Sequence, residues 1–290
     1  MIPTLVRPIR LLTLVVALTS PMYAQTTPAR ELQPATADLD AFRQTAGPAW
    51  HRGESRHFVV YQEEPITAAS LTTTIDSLEA AWVAAASLLG QPFAKMPRAN
   101  VFITASRTRF AAEFVPPNGK GLTMPLPSGE YVIVLVQNDS VRSYARHEVM
   151  HAVSLRAWGW PGPRPWLMEG LATFADGQCQ SSTVLAVARD LLKARPMLRT
   201  QDVIENFVEM ARTERATAYV LAGSLVDYLW SSRGRNGFHQ LWTGHDSLSD
   251  VGLLPGMSGE LTAAWRAHVA QKAGTTPGLA PSALQRAGCG

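Results

Sequence analysis

His147, Glu148 and His151 have the residue types and the spacing to bind a metal ion and to act on a water molecule. They lie in the segment His-Glu-Val-Met-His, an HExxH pattern. On a helix, side chains four positions apart share one face, so the two imidazoles would converge on one point. Glu148 stands one residue further round the helix, where it could serve as general base without binding the metal. The segment therefore predicts metal-assisted hydrolysis.

Glu169 is the candidate for a third metal ligand, because catalytic zinc sites use three protein ligands and keep a fourth position for water. A Gly/Pro segment at 159–165 must end the first helix, and Pro165 is suited to begin the next. At a rise of about 1.5 Å per residue, the first helix leads away from His151 and the second returns towards it by Glu169. We predict one Zn²⁺ ion held by His147, His151 and Glu169.

The elements that must position these residues change in character near residue 140. Before that point, the patterns predict strands over 56–62, 100–104 and 131–136, helices over 67–89 and 106–114, and a Gly/Pro loop over 116–129. After it, they predict helices over 141–157, 165–176, 182–193, 213–232 and 260–272. Strands followed by helices indicate an α+β fold, with a small mixed sheet packed on the active-site helices and a mainly helical second half.

The amino terminus is typical of a secretory signal peptide, residues 1–24. Arg7 and Arg10 precede an apolar run, and the small residue Ala24 stands before the proposed cut at Gln25. The run of about ten residues is shorter than the roughly 20 needed to span a bilayer. We therefore expect an exported protein, periplasmic or secreted, without a membrane span after cleavage. Residues 25–50 are predicted to be a linker, 51–273 the catalytic domain and 274–290 an irregular tail.

The composition of the 290-residue chain excludes several classes of protein. With 46% hydrophobic and 17% charged residues, it is not typical of a disordered tail, a collagen or a coiled coil. The formal net charge is only +3 and no block of Lys or Arg occurs, so nothing favours nucleic acid as a partner. In an oxidising compartment, Cys179 and Cys289 could form one disulfide, or they could remain two unrelated thiols.

The HExxH segment followed by Trp166-Leu-Met-Glu-Gly-Leu-Ala172 resembles the gluzincin branch of the zincin metallopeptidases. The second segment is similar to that of the M1 aminopeptidases, whereas the short exported format more nearly resembles the bacterial peptidase MA-like family. The resemblance covers roughly residues 55 to 235. It implies a zincin-like fold, two His and one Glu as zinc ligands, and a peptide or protein substrate.

The sequence departs from these families at two places. It has no GxMEN motif, with which the M1 aminopeptidases recognise an amino terminus, so exopeptidase action is not supported. Thermolysin-type gluzincins have an Asp four positions after the Glu ligand, where this chain has Thr173. Asp176 is the nearest acid, and it could either orient a zinc-bound imidazole or lie in solvent at the helix end.

A developing oxyanion needs a donor besides the metal, and the resemblance favours Tyr219, on the helix after the motif. Tyr219 also belongs to an apolar stripe at helical spacing, which is typical of core packing. Tyr228 and Ser224 are lesser candidates. We further expect the loop Asn118–Pro125 to shape the substrate groove, because the strand bordering a zincin cleft can pair with an extended peptide.

Two functions are therefore compatible with the sequence. One is an exported zinc-dependent peptidase with Glu148 as general base. The other is a catalytically silent zincin-fold module that serves as a binding or scaffold protein. The complete set of site residues favours the peptidase, since a degenerate site would often have lost Glu148.

Overall fold

The computed structural model describes residues 50–63, 68–91, 98–104, 120–137, 144–244 and 258–279, together with Leu284 and Cys289. The predicted signal peptide, nearly all of the predicted linker and the predicted helix over 106–114 lie outside these residues. All of the described residues belong to a single compact unit.

One mixed sheet occupies the first half of the chain. Its strands are β1 (His51–Glu54), β2 (Phe58–Gln62), β3 (Ala99–Thr104), β4 (Gly121–Pro125) and β5 (Tyr131–Val136). They are ordered β1-β2-β3-β5-β4. β2, β3 and β5 run parallel, whereas β1 and β4 are antiparallel to their neighbours at the two edges. β3 and β5 are buried along their whole length, which confirms the central position predicted from the apolar run of β5.

β4 corrects the predicted loop over 116–129. Gly121–Pro125 is an edge strand, with Thr123 in register with Ile133 of β5. Pro125 pairs with Tyr131 at the end of the ladder, and proline is tolerated there because an edge strand does not need every N–H group. A tight turn closes the hairpin, in which the amide of Leu126 donates to the carbonyl of Glu130 at 2.8 Å. The residues 116–119 of the predicted loop lie outside the described part.

Helices dominate the second half of the described chain. They are α2 (Ala145–Trp158), α3 (Pro165–Asp176), α4 (Val184–Ala194), α5 (Thr200–Glu205), α6 (Phe207–Thr213), α7 (Arg215–Thr243) and α8 (Ser258–Ala273), whereas α1 (Ala68–Leu89) lies between β2 and β3 in the first half. The five helices predicted for the second half and the one predicted over 67–89 are confirmed, with ends shifted by a few residues. The short α5 and α6 were not predicted. α7 continues past the predicted end, through a break at Gly234 where φ is 66°.

The main hydrophobic core lies between one face of the sheet and the helices. Trp82 of α1 is almost fully buried and packs edge-on against Phe58 of β2, with ring centroids 5.3 Å apart. A smaller cluster around Phe102 and Val134 covers the opposite face. The result is a mixed α+β fold, with a small mixed sheet first and a helical half after it. None of the helices in the described residues is long and apolar enough to cross a bilayer.

A disulfide joins the two cysteines, so the first of the two alternatives for them is confirmed. Cys179 lies in a small hairpin of β6 (Gln178–Cys179) and β7 (Ser182–Thr183), and its Cα atom is 4.9 Å from that of Cys289. The bridge closes a loop across 110 residues. Ser182 also donates a hydrogen bond to the Pro277 carbonyl at 2.6 Å. The end of the chain is thereby attached to the helical half.

Candidate metal centre

α2 carries the HExxH residues into the interior. His147, Glu148 and His151 are only 2%, 6% and 7% exposed. The neighbouring apolar side chains Val149 and Val153 are fully buried in the main core, which fixes the rotation of the helix. The sequence thus positions the polar residues of α2 in a site and its apolar residues in the core.

The turn between α2 and α3 determines where Glu169 lies. α2 ends at Gly159, whose φ of 75° is a conformation that favours glycine. The Gly159 carbonyl accepts a hydrogen bond from the indole of Trp242 at 2.9 Å. The guanidinium of Arg164 donates to the carbonyls of Leu241 and Trp242, the latter at 2.7 Å. These bonds attach the turn to the end of α7, and Pro165 then begins α3 as predicted.

α3 and α7 approach each other closely through glycine. A Cβ atom on Gly170 would lie 2.7 Å from Val226 Cγ2 and 2.9 Å from the carbonyl oxygen of Ala222. On the facing helix, a Cβ atom on Gly223 would lie 2.8 Å from Thr173 Cγ2. Larger residues at either glycine would separate the helices. The close contact brings the first turns of α7 against the helix that carries Glu169.

The three predicted ligands converge. The Nε2 atoms of His147 and His151 are 3.0 Å apart, and Glu169 Oε2 lies 3.2 Å and 3.3 Å from them. Around a tetrahedral zinc ion with bonds of about 2.0–2.2 Å, neighbouring ligand atoms are about 3.3 Å apart. The separations therefore fit a single small divalent cation bound by two imidazoles and one carboxylate. These residues form the His-His-Glu group that could hold a metal ion.

The electrostatics of the group also suit a cation. Burial acts to raise the pKa of Glu169, but the two imidazoles outweigh it and the pKa lies well below the usual carboxyl range. Burial acts to lower the pKa of His151, and the Glu169 carboxylate outweighs it, so this pKa is raised. A partly buried carboxylate that stays ionised attracts positive charge. A metal ion binding here would compete with a proton for His151.

The outer nitrogen of His147 departs from the common pattern. Histidines that bind metals usually donate their second N–H to a carboxylate, a carbonyl or water. Nδ1 of His147 is buried and has no hydrogen-bond partner among the described residues, and the same is true of Thr173 Oγ1. Asp176 is only 4% exposed, so the expectation that it could lie in solvent is wrong.

Glu148 is held against the edge strand β4. Its Oε2 atom accepts a hydrogen bond from the Thr123 hydroxyl at 2.8 Å, and its main-chain carbonyl lies 2.9 Å from the same hydroxyl. A Cβ atom on Gly121 would come within 2.4 Å of Glu148 Oε1. β4 thus fixes the carboxylate from two sides, by a hydrogen bond and by steric confinement.

Tyr219 of α7 lies beside the ligands. Its ring stacks on that of His147, with centroids 6.0 Å apart and planes inclined by 21°. Its hydroxyl accepts a hydrogen bond from Arg215 Nη2 at 3.2 Å. Burial and the negative charge of Glu169 raise the pKa of Tyr219, so the phenol keeps its proton. The hydroxyl is therefore available as a donor close to the site.

The two lesser candidates have other surroundings. The Ser224 hydroxyl donates to the Leu221 carbonyl at 2.8 Å and is 3.2 Å from the Trp265 indole nitrogen. Tyr228 packs edge-on against the ring of His268. Their contacts are thus with α7 itself and with α8.

Sequence reasoning placed Gly121 and Thr123 in the segment expected to shape the groove but did not connect them with Glu148, and it did not single out Arg215. The first two belong to a segment predicted as a loop, and no local pattern connects them to Glu148. Arg215 stands four positions before Tyr219, and this helical spacing is a signal that could have been used. No known protein-family model matches the chain, and a search of curated proteins finds no significant match.

Proposed function

We propose that this chain is an exported zinc-dependent peptidase of the gluzincin type with a zincin-like fold. The convergence of His147, His151 and Glu169 at separations of 3.0 to 3.3 Å carries the proposal. Two neutral imidazoles and one carboxylate are a ligand set found in catalytic zinc sites. A zinc ion in this set would polarise a carbonyl and lower the pKa of a water molecule.

The residues around the three ligands fit the steps of peptide hydrolysis. Glu148 is positioned by β4 to accept a proton as water attacks the carbonyl carbon. It then delivers this proton to the amide nitrogen as the C–N bond breaks, so that a carboxylic acid and an amine leave. Tyr219 supplies a protonated hydroxyl for the developing oxyanion. His147, His151 and Glu169 would hold the metal throughout.

The edge strand β4 supports a peptide as substrate. Among the described strands, β4 is terminal in the sheet order, and it lies directly against Glu148. Its outer edge could pair with an extended peptide, which would lay the peptide backbone beside the general base. The region predicted to shape the groove thus keeps that proposed role, as a strand rather than as a loop.

Metal analysis combined with a peptide-library digest tests the proposal. We expect about one zinc per chain, and cleavage that stops with a chelator and returns when zinc is restored. Glu148→Gln should keep the metal and lower turnover by about 10²–10⁴-fold, whereas the exposed Glu205→Gln should leave both unchanged. Metal binding without any cleavage by the unaltered protein would favour the silent binding module. Absence of metal binding would refute the peptidase.

A further inference from the structure

Arg215 is a cation close to the metal centre, and it forms no ion pair with a carboxylate among the described residues. It is half-buried at the start of α7, and its guanidinium carbon lies 5.3 Å from the centre of the Tyr219 ring. Burial acts to lower the pKa of Arg215, and Tyr219, Glu169 and Glu148 together outweigh that effect. Arg215 therefore stays protonated, and it lies close enough to Glu169 and Glu148 to interact with their charges.

The guanidinium retains unused hydrogen-bond donors. Arginine has five N–H donors, and within the described part of the chain Arg215 donates to the Tyr219 hydroxyl alone. Arg164 and Arg266, in contrast, each donate to two or more main-chain carbonyls. The adjacent acid Glu214 is paired with Arg195 instead. Arg215 therefore does not serve to tie segments together as those arginines do.

The position also disfavours a purely structural role. A cation at the amino-terminal end of a helix opposes the helix dipole, whereas an anion at that place is stabilised by it. A metal ion bound to Glu169 would offset much of the negative charge that now faces Arg215. Arg215 would then be a guanidinium next to a helix amino terminus, separated from the metal ligand His147 by the ring of Tyr219. This combination favours an anion, and arginine matches a carboxylate with two parallel hydrogen bonds.

We infer that Arg215 binds a carboxylate of the substrate, and so selects peptides that carry one near the bond to be cut. This inference rests on the proposed peptidase function and names its substrate class. Ring centroids 6.0 Å apart link Tyr219 to His147, and an extended peptide advances about 3.3–3.6 Å per residue. The carboxylate would therefore stand within about three residues of the scissile carbonyl. It could be the chain terminus or an acidic side chain.

Binding to the zinc-loaded Glu148→Gln protein tests this inference without relying on turnover. The probes are one short labelled peptide with a free carboxyl terminus, the same peptide amidated, and amidated versions with a single Glu or Gln near the middle. We expect the peptide with the recognised carboxylate to bind about 10- to 100-fold more tightly than its neutral counterpart. The free-terminus pair and the Glu/Gln pair distinguish the two sources of the carboxylate.

Variants of Arg215 assign the effect to this residue. In the Glu148→Gln background, Arg215→Met should abolish the preference and Arg215→Lys should retain part of it, with zinc content unchanged. Arg212→Met, which removes an exposed arginine paired with Glu209, should keep the full preference. Equal affinity for acidic and neutral probes, or a preference that survives Arg215→Met, would overturn the inference. If Arg215→Met does not fold, Arg215→Lys and the probe pairs decide it. Turnover by the unaltered protein is measured separately, so a peptidase without carboxylate preference is a distinct result.

Discussion

Gly121→Ala offers a sharp test of how β4 positions Glu148. The added methyl carbon would lie 2.4 Å from Glu148 Oε1, 2.7 Å from Cγ and 2.8 Å from Cδ. Gly121 is not among the glycines with positive φ, so alanine suits the backbone of the strand. The metal ligands themselves are untouched. The substitution therefore acts on the general base through one steric contact.

The expected loss follows from the size of this contact. Ordinary van der Waals contact begins near 3.4 Å, so the carboxylate must move by about 1 Å, and a displacement of that size costs about 10²-fold in rate. We expect kcat to fall by about 100-fold, which corresponds to about 2.7 kcal/mol of lost transition-state stabilisation. KM should change little, because the methyl group displaces the base and not the peptide.

The assay is steady-state peptide hydrolysis by zinc-loaded protein, with the zinc content measured on the same samples. Gly259→Ala is the matched control, since a Cβ atom there meets nothing within 4 Å, and its kcat should equal that of the unaltered protein. An unchanged kcat for Gly121→Ala would refute the positioning argument. A fall in kcat that merely follows loss of zinc would refute it equally.

Three further predictions concern a hydrogen bond, the disulfide and a half-buried carboxylate that accepts hydrogen bonds. Thr123→Val should lower kcat by about tenfold at unchanged zinc content and Thr123→Ser should restore it, because only the hydroxyl donates to the general base; equal rates would contradict this. Replacing Cys179 and Cys289 by Ala should lower the free energy of unfolding by about 2–5 kcal/mol in urea titrations; an unchanged midpoint would count against it. Burial acts to raise the pKa of Glu79, but hydrogen bonds, among them those from His57 at 2.6 and 2.8 Å, outweigh it and hold the pKa below its usual range. The depressed pKa stabilises the folded chain at pH values above the pKa that Glu79 has in the unfolded chain, and this stability is lost as the pH falls through its pKa in the folded chain. Glu79→Gln should therefore lower the free energy of unfolding by about 1 kcal/mol at pH 7 and by progressively less in acid. A difference independent of pH would exclude this cause.

Local sequence patterns predicted most helices and strands, because the pattern of apolar residues in an element reflects which of its faces are buried. The uninterrupted apolar run of β5 corresponds to a strand buried on both faces, and Gly90 and Pro165 mark helix ends by their backbone restrictions. β4 escaped prediction because Gly121–Pro125 has little strand propensity and is ordered by pairing with β5. α5 and α6 are too short for a periodic pattern to develop.

The sequence by itself determined the chemistry of the candidate centre. The spacing of His147 and His151 sets both imidazoles on one helical face, and the helix break before Pro165 allows Glu169 to return to them. These are local properties, since helix geometry turns positions along the chain directly into positions in space.

Only the tertiary structure decided what surrounds the ligands. Thr123 and Gly121 meet Glu148 across more than twenty positions of sequence, and the packing of α7 against α3 through glycine places Tyr219 with its partner Arg215 next to His147. Such contacts depend on how whole elements pack, and no window of sequence contains both partners. The partners of Glu148 and the charge beside Tyr219 therefore had to be observed in the folded chain.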